Sequence, residues 1–140
     1  MTQEDKELLL KDLCARLPYS LCVQDEYGEI DYINYNDVHF ANYFDSILNG
    51  KVKPYLRPML SMTEEEFTKL KEYSGLKYDQ LDLASFQNGT YKCLDFYLSE
   101  VPSGAVIRVF DWLNRYHFDY RDLIPMDLVI AVTKENNPYE

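Results

Sequence analysis

Residues 20–35, SLCVQDEYGEIDYINY, decide the fold class of this 140-residue chain. Leu21 and Val23 stand at alternate positions, and a second alternating run of apolar and polar residues begins at Ile30. A period of two residues is typical of a half-buried strand. Tyr27-Gly28 lies between the two runs, where glycine accepts the positive φ that a tight turn requires. The stretch therefore predicts a β-hairpin.

Helical patterns lie on both sides of this hairpin. Residues 2–17 carry leucines at helical spacing and predict a first helix. Residues 63–75 have the most complete helix start, because Thr63 and Glu66 have the spacing of a capping box. Apolar residues at helical spacing predict a further helix over residues 104–116.

The remaining segments carry weaker patterns. Residues 51–60 contain two prolines and predict an extended segment or an edge strand. Asn88-Gly89 favours the turn of a second hairpin, and Asp119 is expected to cap a single helical turn. Residues 128–132 form an apolar run that fits a last strand. Residues 36–49 combine helical spacing with loop signals, so both structures stay open.

Together these elements predict an α+β fold in which an antiparallel sheet of hairpins packs against two to three helices. The length fits one domain, and an apolar fraction of 46% supports an independent core. We expect a single domain over residues 1–134. Residues 135–140 are polar and are expected to form a frayed tail.

The charge restricts the partners that the chain can bind. The formal net charge is −10, which argues against direct binding to nucleic acid, because cationic side chains must replace phosphate counterions there. It favours a protein partner with a basic surface. No apolar stretch approaches the ~20 residues of a membrane span. Residues 1–6 are acidic and polar, unlike a secretory signal, so a cytoplasmic location is expected.

Cysteine usage points to no redox or metal chemistry. Cys14, Cys22 and Cys93 are an odd number of thiols without a CxxC pair, which suits neither a disulfide framework nor a zinc site. We expect three buried or half-buried thiols, with no metal and no cofactor.

An acidic, tyrosine-rich segment is the most informative feature for function. Residues 17–50 hold six acidic residues, no Lys or Arg, and five of the 13 tyrosines. Tyrosine gives a large contact area at low entropic cost, so the segment fits a recognition surface as well as an ordinary solvated hairpin face. The candidate binding residues here are Asp25, Glu26, Tyr27, Asp31, Tyr32, Tyr35 and Tyr43.

Two further groups of residues invite a chemical interpretation. The Lys53, Tyr55 and Arg57 group fits a phosphate or acidic ligand, but no glycine-rich loop accompanies it, and a structural role is favoured. His117 and Asp119 fit a base with its orienting acid, and Arg121 lies nearby in sequence. The favoured alternative is structural: His117 ends a helix, Asp119 caps the next turn, and Arg121 pairs with an acidic residue.

Two longer stretches carry a resemblance. Residues 53–66, KPYLRPMLSMTEEE, and residues 110–124, FDWLNRYHFDYRDLI, resemble the signatures KPYLRPxSSMTEEE and DWLNxHHFDYRGLI. These signatures belong to a group of short proteins of gut bacteria of the Bacteroides group, their phages and their mobile elements. The chain departs from the group's usual residues at Leu60 (Ser in the group), Tyr116 (His) and Asp122 (Gly). The resemblance implies a phage or mobile-element setting and no specific activity.

Three functions compete at this point. The first is a non-enzymatic binding protein that inhibits or modulates a host or defence protein, its acidic surface mimicking nucleic acid in a basic groove. The second is a small-molecule binder, such as a sponge for a nucleotide signal. The third is a hydrolase that uses His117. The first is favoured, and a twofold-symmetric homodimer is the assembly expected if the chain self-associates.

Overall fold

The computed structural model describes residues 1–33, 40–75, 82–89, 91 and 103–139, with the backbone alone for residues 40–42 and 103. Its helices and strands confirm the predicted α+β class. The internal contacts divide into two compact units. Unit 1 consists of Met1–Arg57 with Arg121–Glu140, and unit 2 is Pro58–Tyr120.

Unit 1 combines two helices with a sheet. Its elements are α1 (Gln3–Arg16), β1 (Leu21–Gln24), β2 (Ile30–Ile33), α2 (Phe40–Leu48), β3 (Lys53–Pro58, whose last residue falls in unit 2) and β5 (Ile130–Ala131). β1 lies between β2 and β3, and β5 also pairs with β3. β1 pairs antiparallel with β2 and β3, and β5 pairs parallel with β3. The predicted first helix and hairpin are thus confirmed, and α2 resolves the open assignment of residues 36–49 as helix within the described part.

The first helix begins as its sequence indicates. The Thr2 hydroxyl accepts a hydrogen bond from the Asp5 amide at 3.1 Å, and the Asp5 carboxylate accepts one from the Thr2 amide at 3.0 Å. This capping box satisfies two amides that have no partner within the helix. Leu9 and Leu13 then lie buried on one side of α1.

Strand alternation gives the sheet of unit 1 two different faces. Leu21 and Val23 of β1 lie on the face covered by the helices, whereas Cys22 points to the opposite face. Each fully buried aliphatic side chain contributes roughly 1.5–3 kcal/mol relative to exposure. The buried core on the helical face consists of Leu9, Leu13, Leu21, Val23, Ile33, Ile47, Val52, Leu56, Leu123, Leu128 and Val129.

The proline-containing strand β3 lies between two neighbours in unit 1. The extended conformation expected for residues 51–60 is confirmed, but the expected edge position is wrong. β1 pairs with β3 at Lys53 and Pro54, and β5 pairs with it at Tyr55 and Leu56. The two pairings are staggered along β3, so Pro54 pairs with β1 but not with β5. Because proline cannot donate a ladder hydrogen bond, pairing on one side only makes it tolerable there.

The chain terminus completes the ladder between β1 and β3. The register pairs Val23 with Pro54, so one further step would place Cys22 opposite Tyr55. In the structure the Cys22 amide instead donates to the Tyr139 hydroxyl at 3.1 Å, and that hydroxyl donates to the Tyr55 carbonyl at 2.7 Å. The side chain of Tyr139 therefore takes the place of one rung. The composition of residues 135–140 predicts fraying, and these contacts show instead that Tyr139 is anchored.

A buried ionic cluster joins α1 to the returning chain. The Asp12 carboxylate accepts from Arg16 Nε at 2.8 Å and Nη2 at 3.0 Å, and from Arg121 Nη1 at 2.8 Å. The side chains of Asp12 and Arg16 are almost fully buried. Lys53 adds a more exposed link to Asp127, at 3.2 Å between Nζ and Oδ1. Both links hold the Arg121–Glu140 segment against the first segment of unit 1.

The described residues of unit 2 are helical apart from one short strand. Its elements are a 3-10 turn (Met59–Ser61), α3 (Glu64–Ser74), α4 (Leu83–Gln87), α5 (Ser103–Arg115) and β4 (Phe118–Asp119). The capping box of Thr63 and Glu66 is confirmed by bonds of 3.0 and 3.1 Å, and Gly75 ends α3 with a φ of 72°. The buried core consists of Met59, Met62, Phe67, Leu70, Phe86, Tyr91, Ala105, Val106, Val109, Trp112, Leu113 and Phe118.

Two local predictions in unit 2 are wrong. The residues before Asn88-Gly89 form the helix α4 and not the first strand of a hairpin. Asp82 caps this helix, because its carboxylate accepts from the Ser85 amide at 2.7 Å. The far side of that predicted hairpin lies outside the described residues. The helical turn predicted after Asp119 does not form: residues 120–127 contain turns and a bend, and Asp119 is a buried residue of β4.

We predict that Tyr139→Phe lowers the free energy of unfolding by about 1–3 kcal/mol. The change keeps the ring but removes the hydroxyl that bridges the Cys22 amide and the Tyr55 carbonyl. Tyr27→Phe is the matched control, because the Tyr27 side chain is largely exposed, and its effect should stay within about 0.5 kcal/mol. Urea unfolding followed by circular dichroism measures both. Equal stabilities of the two variants would contradict the bridging role.

Candidate interaction site

Asp25 builds the turn of the β1–β2 hairpin. Its Oδ1 accepts from the backbone amides of Tyr27 and Glu29, both at 2.9 Å. The Asp25 amide donates to the Glu29 carbonyl at 2.9 Å, and Gly28 has a φ of 84°. This candidate binding residue therefore has its carboxylate engaged in shaping the loop, as Asp side chains often do in turns.

The side chains that follow Asp25 form an exposed acidic and aromatic surface. We call this set the hairpin surface: Glu26, Tyr27, Glu29, Ile30, Asp31 and Tyr32, all of them exposed. Tyr27 is 83% exposed, Ile30 51% and Tyr32 50%. Ile30 and Tyr32 share one face of β2, because Tyr32 pairs with Cys22 and Ile30 pairs with Gln24. The hairpin thus presents apolar contact area between carboxylates.

Glu29 and Ile30 are members that the sequence analysis missed. Ile30 looks like a core residue of its strand, because apolar residues in a strand usually mark the buried face. The register of the hairpin, together with the buried position of Leu21, identifies which residues of β2 are buried. Leu21 pairs with Ile33, so Ile33 shares the buried face and Ile30 does not.

Asp31 is held by two hydrogen bonds. Its Oδ1 accepts from the Tyr32 amide at 2.8 Å, and its Oδ2 accepts from the Tyr43 hydroxyl. Tyr43 lies half-buried on α2 and packs against the core of unit 1. The candidate binding residues Asp31 and Tyr43 therefore contact each other, and Tyr43 holds the Asp31 carboxylate in place. Tyr35 lies outside the described residues.

A cluster of protonated groups lies on the sheet face opposite the helices. Burial raises the pKa of the Cys22 thiol, although the hydrogen bond with Tyr32 partly offsets this effect. Burial also raises the pKa of Tyr55 and of Tyr139. The Tyr32 hydroxyl donates to the Pro138 carbonyl at 2.7 Å. At neutral pH the thiol stays protonated, so the cluster offers no thiolate nucleophile.

The predicted phosphate-binding group is occupied by structural contacts. Lys53 Nζ contacts Asp127 through the backbone carbonyl at 2.9 Å and the carboxylate at 3.2 Å. Tyr55 is buried, so its ring is not available for stacking with a base. Arg57 is half-buried at the end of unit 1. These positions agree with the structural role favoured from the sequence.

The predicted catalytic residues occupy different settings. His117 follows α5 with a φ of 66°, a left-handed backbone that ends the helix. Asp119 is buried in β4. Arg121 belongs to unit 1 and pairs with Asp12 at 2.8 Å, which is the acidic partner that the structural interpretation requires.

The part of the chain that the structure describes yields two negative findings. It contains no cluster of His, Cys, Asp and Glu side chains that would hold a metal ion. None of its helices is at once long enough and apolar enough to pass through a bilayer.

Neither a protein-family model, nor a curated protein, nor a solved structure matches this chain. No activity, ligand or partner is therefore transferred to it from another protein. Its function is inferred from the charge, exposure and contacts of the hairpin surface.

The thiols differ from the expectation of three buried groups. Cys22 is buried but Cys14 is exposed on α1, and Cys93 lies outside the described residues. We predict that iodoacetamide at about pH 8 alkylates Cys14 and spares Cys22 in the native protein, because only an accessible thiolate reacts. Peptide mass spectrometry measures both sites. The urea-unfolded protein is the control, in which both should react. Equal native labelling of the two thiols would contradict the burial of Cys22.

Proposed function

We propose that this chain is a non-enzymatic binding protein whose hairpin surface engages a basic surface on a protein partner. The observation that supports the proposal is the joint exposure of carboxylates and large side chains on one hairpin. This hairpin lies within residues 17–50, a stretch without Lys or Arg. Because no cation offsets these acids within the stretch, the field around the hairpin favours cationic partners.

The two kinds of side chain have different tasks in such an interface. The carboxylates of Glu26 and Glu29 steer a basic partner and raise the association rate. Tyr27, Ile30 and Tyr32 supply contact area that becomes buried on binding, and tyrosine is enriched among the residues that dominate binding energy.

The contacts inside the hairpin reduce the entropic cost of binding. Asp25 fixes the turn through two amides, and Asp31 is fixed by Tyr32 and Tyr43. A surface ordered before binding loses less conformational freedom in the complex. Asp25, Asp31 and Tyr43 therefore support the surface. Glu26, Tyr27 and Tyr32 are the side chains that this surface presents.

The setting implied by the resemblance extends this proposal. A small phage or mobile-element protein meets host and defence proteins in the cytoplasm, and many of these have basic grooves for nucleic acid. An acidic hairpin with aromatic side chains fits such a groove and competes with nucleic acid for it. Inhibition or modulation of a host or defence protein is the activity that we propose on this basis.

The two competing hypotheses, a small-molecule binder and a hydrolase, have weaker support. A cleft lined by Leu13, Arg16, Leu17, Tyr19, Leu21, Ile33 and Phe44 has an empty volume of about 190 Å³. That volume includes open solvent, and the enclosed part has room for about one water molecule, far less than a ligand pocket requires. Of the cationic side chains proposed for phosphate, Lys53 contacts Asp127 and Arg57 is half-buried. The hydrolase hypothesis pairs His117 with Asp119, and Asp119 is a buried residue of β4.

We predict that Glu26→Lys combined with Glu29→Lys removes the partner from an affinity capture. The tagged wild-type chain and this variant are used as baits in a lysate of a gut Bacteroides-type bacterium, and bound proteins are identified by mass spectrometry. The expected result is a basic protein that is enriched roughly tenfold on the wild-type chain, because rim charges control association. Purified partner then shows a slower association rate with the variant and a strong salt dependence.

The control for this experiment changes the same net charge elsewhere. Glu72→Lys combined with Glu135→Lys alters two exposed acidic residues outside the hairpin. This control should retain the partner. If the hairpin variant and the control capture the same proteins to the same extent, the hairpin surface is not the binding site and the proposal is wrong.

A further inference from the structure

The outer edge of β2 has the features of a strand-docking site. β2 is the first strand in the order β2-β1-β3, and among the described residues it pairs with β1 only. A strand with one paired side presents backbone amides and carbonyls on the other side, where a further strand adds readily. The edge is four residues long, Ile30–Ile33.

The register identifies the backbone groups that point outward. The Asp25 amide donates to the Glu29 carbonyl, so Asp25 and Glu29 face each other at a hydrogen-bonded position of the ladder, although the Glu29 amide donates to the Asp25 carboxylate. Such pairs alternate along an antiparallel ladder, so Ile30 and Tyr32 are the residues that do not bond to β1. Their amides and carbonyls therefore face outward. The bond from the Tyr32 amide to the Asp31 carboxylate, 2.8 Å, agrees with this direction.

The side chains of β2 determine the sequence of strand that fits. Ile30 and Tyr32 are half-exposed on one face, so an added strand gains most from apolar residues beside them. Asp31 is exposed on the other face, and a Lys or Arg placed beside it forms an opposite-charge pair. The edge thus matches a segment in which apolar and basic residues alternate.

Asp31 also excludes the simplest alternative occupant, a second copy of this chain. In an antiparallel pairing of two β2 strands, Asp31 of each copy would lie close to its counterpart, with Glu29 near both. Like charges across strands destabilise a pair. In the isolated chain the Asp31 carboxylate also occupies the Tyr32 amide, which protects the edge from indiscriminate pairing. A cation from the partner draws this carboxylate away and exposes the amide.

We infer that the β2 edge accepts an extended basic segment of the partner by strand addition, with Asp31 selecting cationic residues. This inference rests on the proposed function, since it specifies how the acidic hairpin holds its basic partner. Main-chain hydrogen bonds to Ile30 and Tyr32 provide affinity, and alternate side chains provide specificity.

The test uses two synthetic peptides of about eight residues, close to the usual strand length. One alternates lysine with valine, and the other has the same lysines but proline in place of the central valines. Proline lacks the amide that a ladder requires, so only the first peptide can add to the sheet. Isothermal titration calorimetry at low salt is expected to show roughly tenfold tighter binding of the first peptide.

Variants of Ile30 test the protein side of the contact. Ile30→Pro removes one outward amide and leaves the bonds between β1 and β2, because Ile30 does not bond to β1. It should weaken binding of the lysine–valine peptide roughly tenfold. Ile30→Val is the control that keeps the amide, and it should bind as the wild-type chain does. If Ile30→Pro fails to fold, the comparison of the two peptides on the wild-type chain decides.

The outcomes separate this inference from the proposed function. Equal binding of both peptides by the wild-type chain would overturn strand addition and leave the acidic binding surface in place. Binding of neither peptide at low salt would count against both proposals. Selective binding of the lysine–valine peptide, lost in Ile30→Pro and retained in Ile30→Val, supports strand addition.

Discussion

Unit 1 depends on the buried carboxylate of Asp12. This group accepts hydrogen bonds from Arg16 on the same helix and from Arg121, 109 residues away in sequence. A buried ion pair is not in itself a strong source of stability, because desolvation offsets much of the attraction. Removing one partner is costly, however, since the other charges stay buried. The cluster therefore ties α1 to the returning segment, and that segment supplies both β5 and Tyr139 to the sheet.

The contacts within unit 1 also support the hairpin surface. β1 is packed by α1 on one face and is joined to β3 through the Tyr139 hydroxyl at its other side. β2 is held by β1, by the Asp25 turn and by the contact between Asp31 and Tyr43. A short hairpin needs such support, because an isolated hairpin is only marginally stable in water.

Local sequence patterns predicted local structure, but they did not predict contacts between residues that are far apart in sequence. Two predicted features depend only on residues close together in sequence: the capping box of Thr63 and Glu66, and the turn at Tyr27-Gly28. The spacing of these residues was therefore enough to predict both features. The inner position of β3 and the anchoring of Tyr139 depend on partners far away in sequence. Within the site, charge alone suggested Asp25 and Asp31 as binding residues, and the structure engages their carboxylates in backbone hydrogen bonds. The φ of 57° at Asp122 is left-handed backbone, which favours glycine.

A double-mutant cycle between Asp12 and Arg121 tests most directly whether the ionic cluster closes unit 1. Free energies of unfolding in urea, followed by circular dichroism, are compared for the wild-type chain, Asp12→Ala, Arg121→Ala and the double variant. Asp12→Ala is expected to cost about 3 kcal/mol or more, because the buried Arg16 and the partly buried Arg121 lose their shared partner. The double variant should lose less than the sum of the single losses, with a coupling energy of about 1–3 kcal/mol. Additive losses would contradict the account, since they would show that Asp12 and Arg121 stabilise the unit independently.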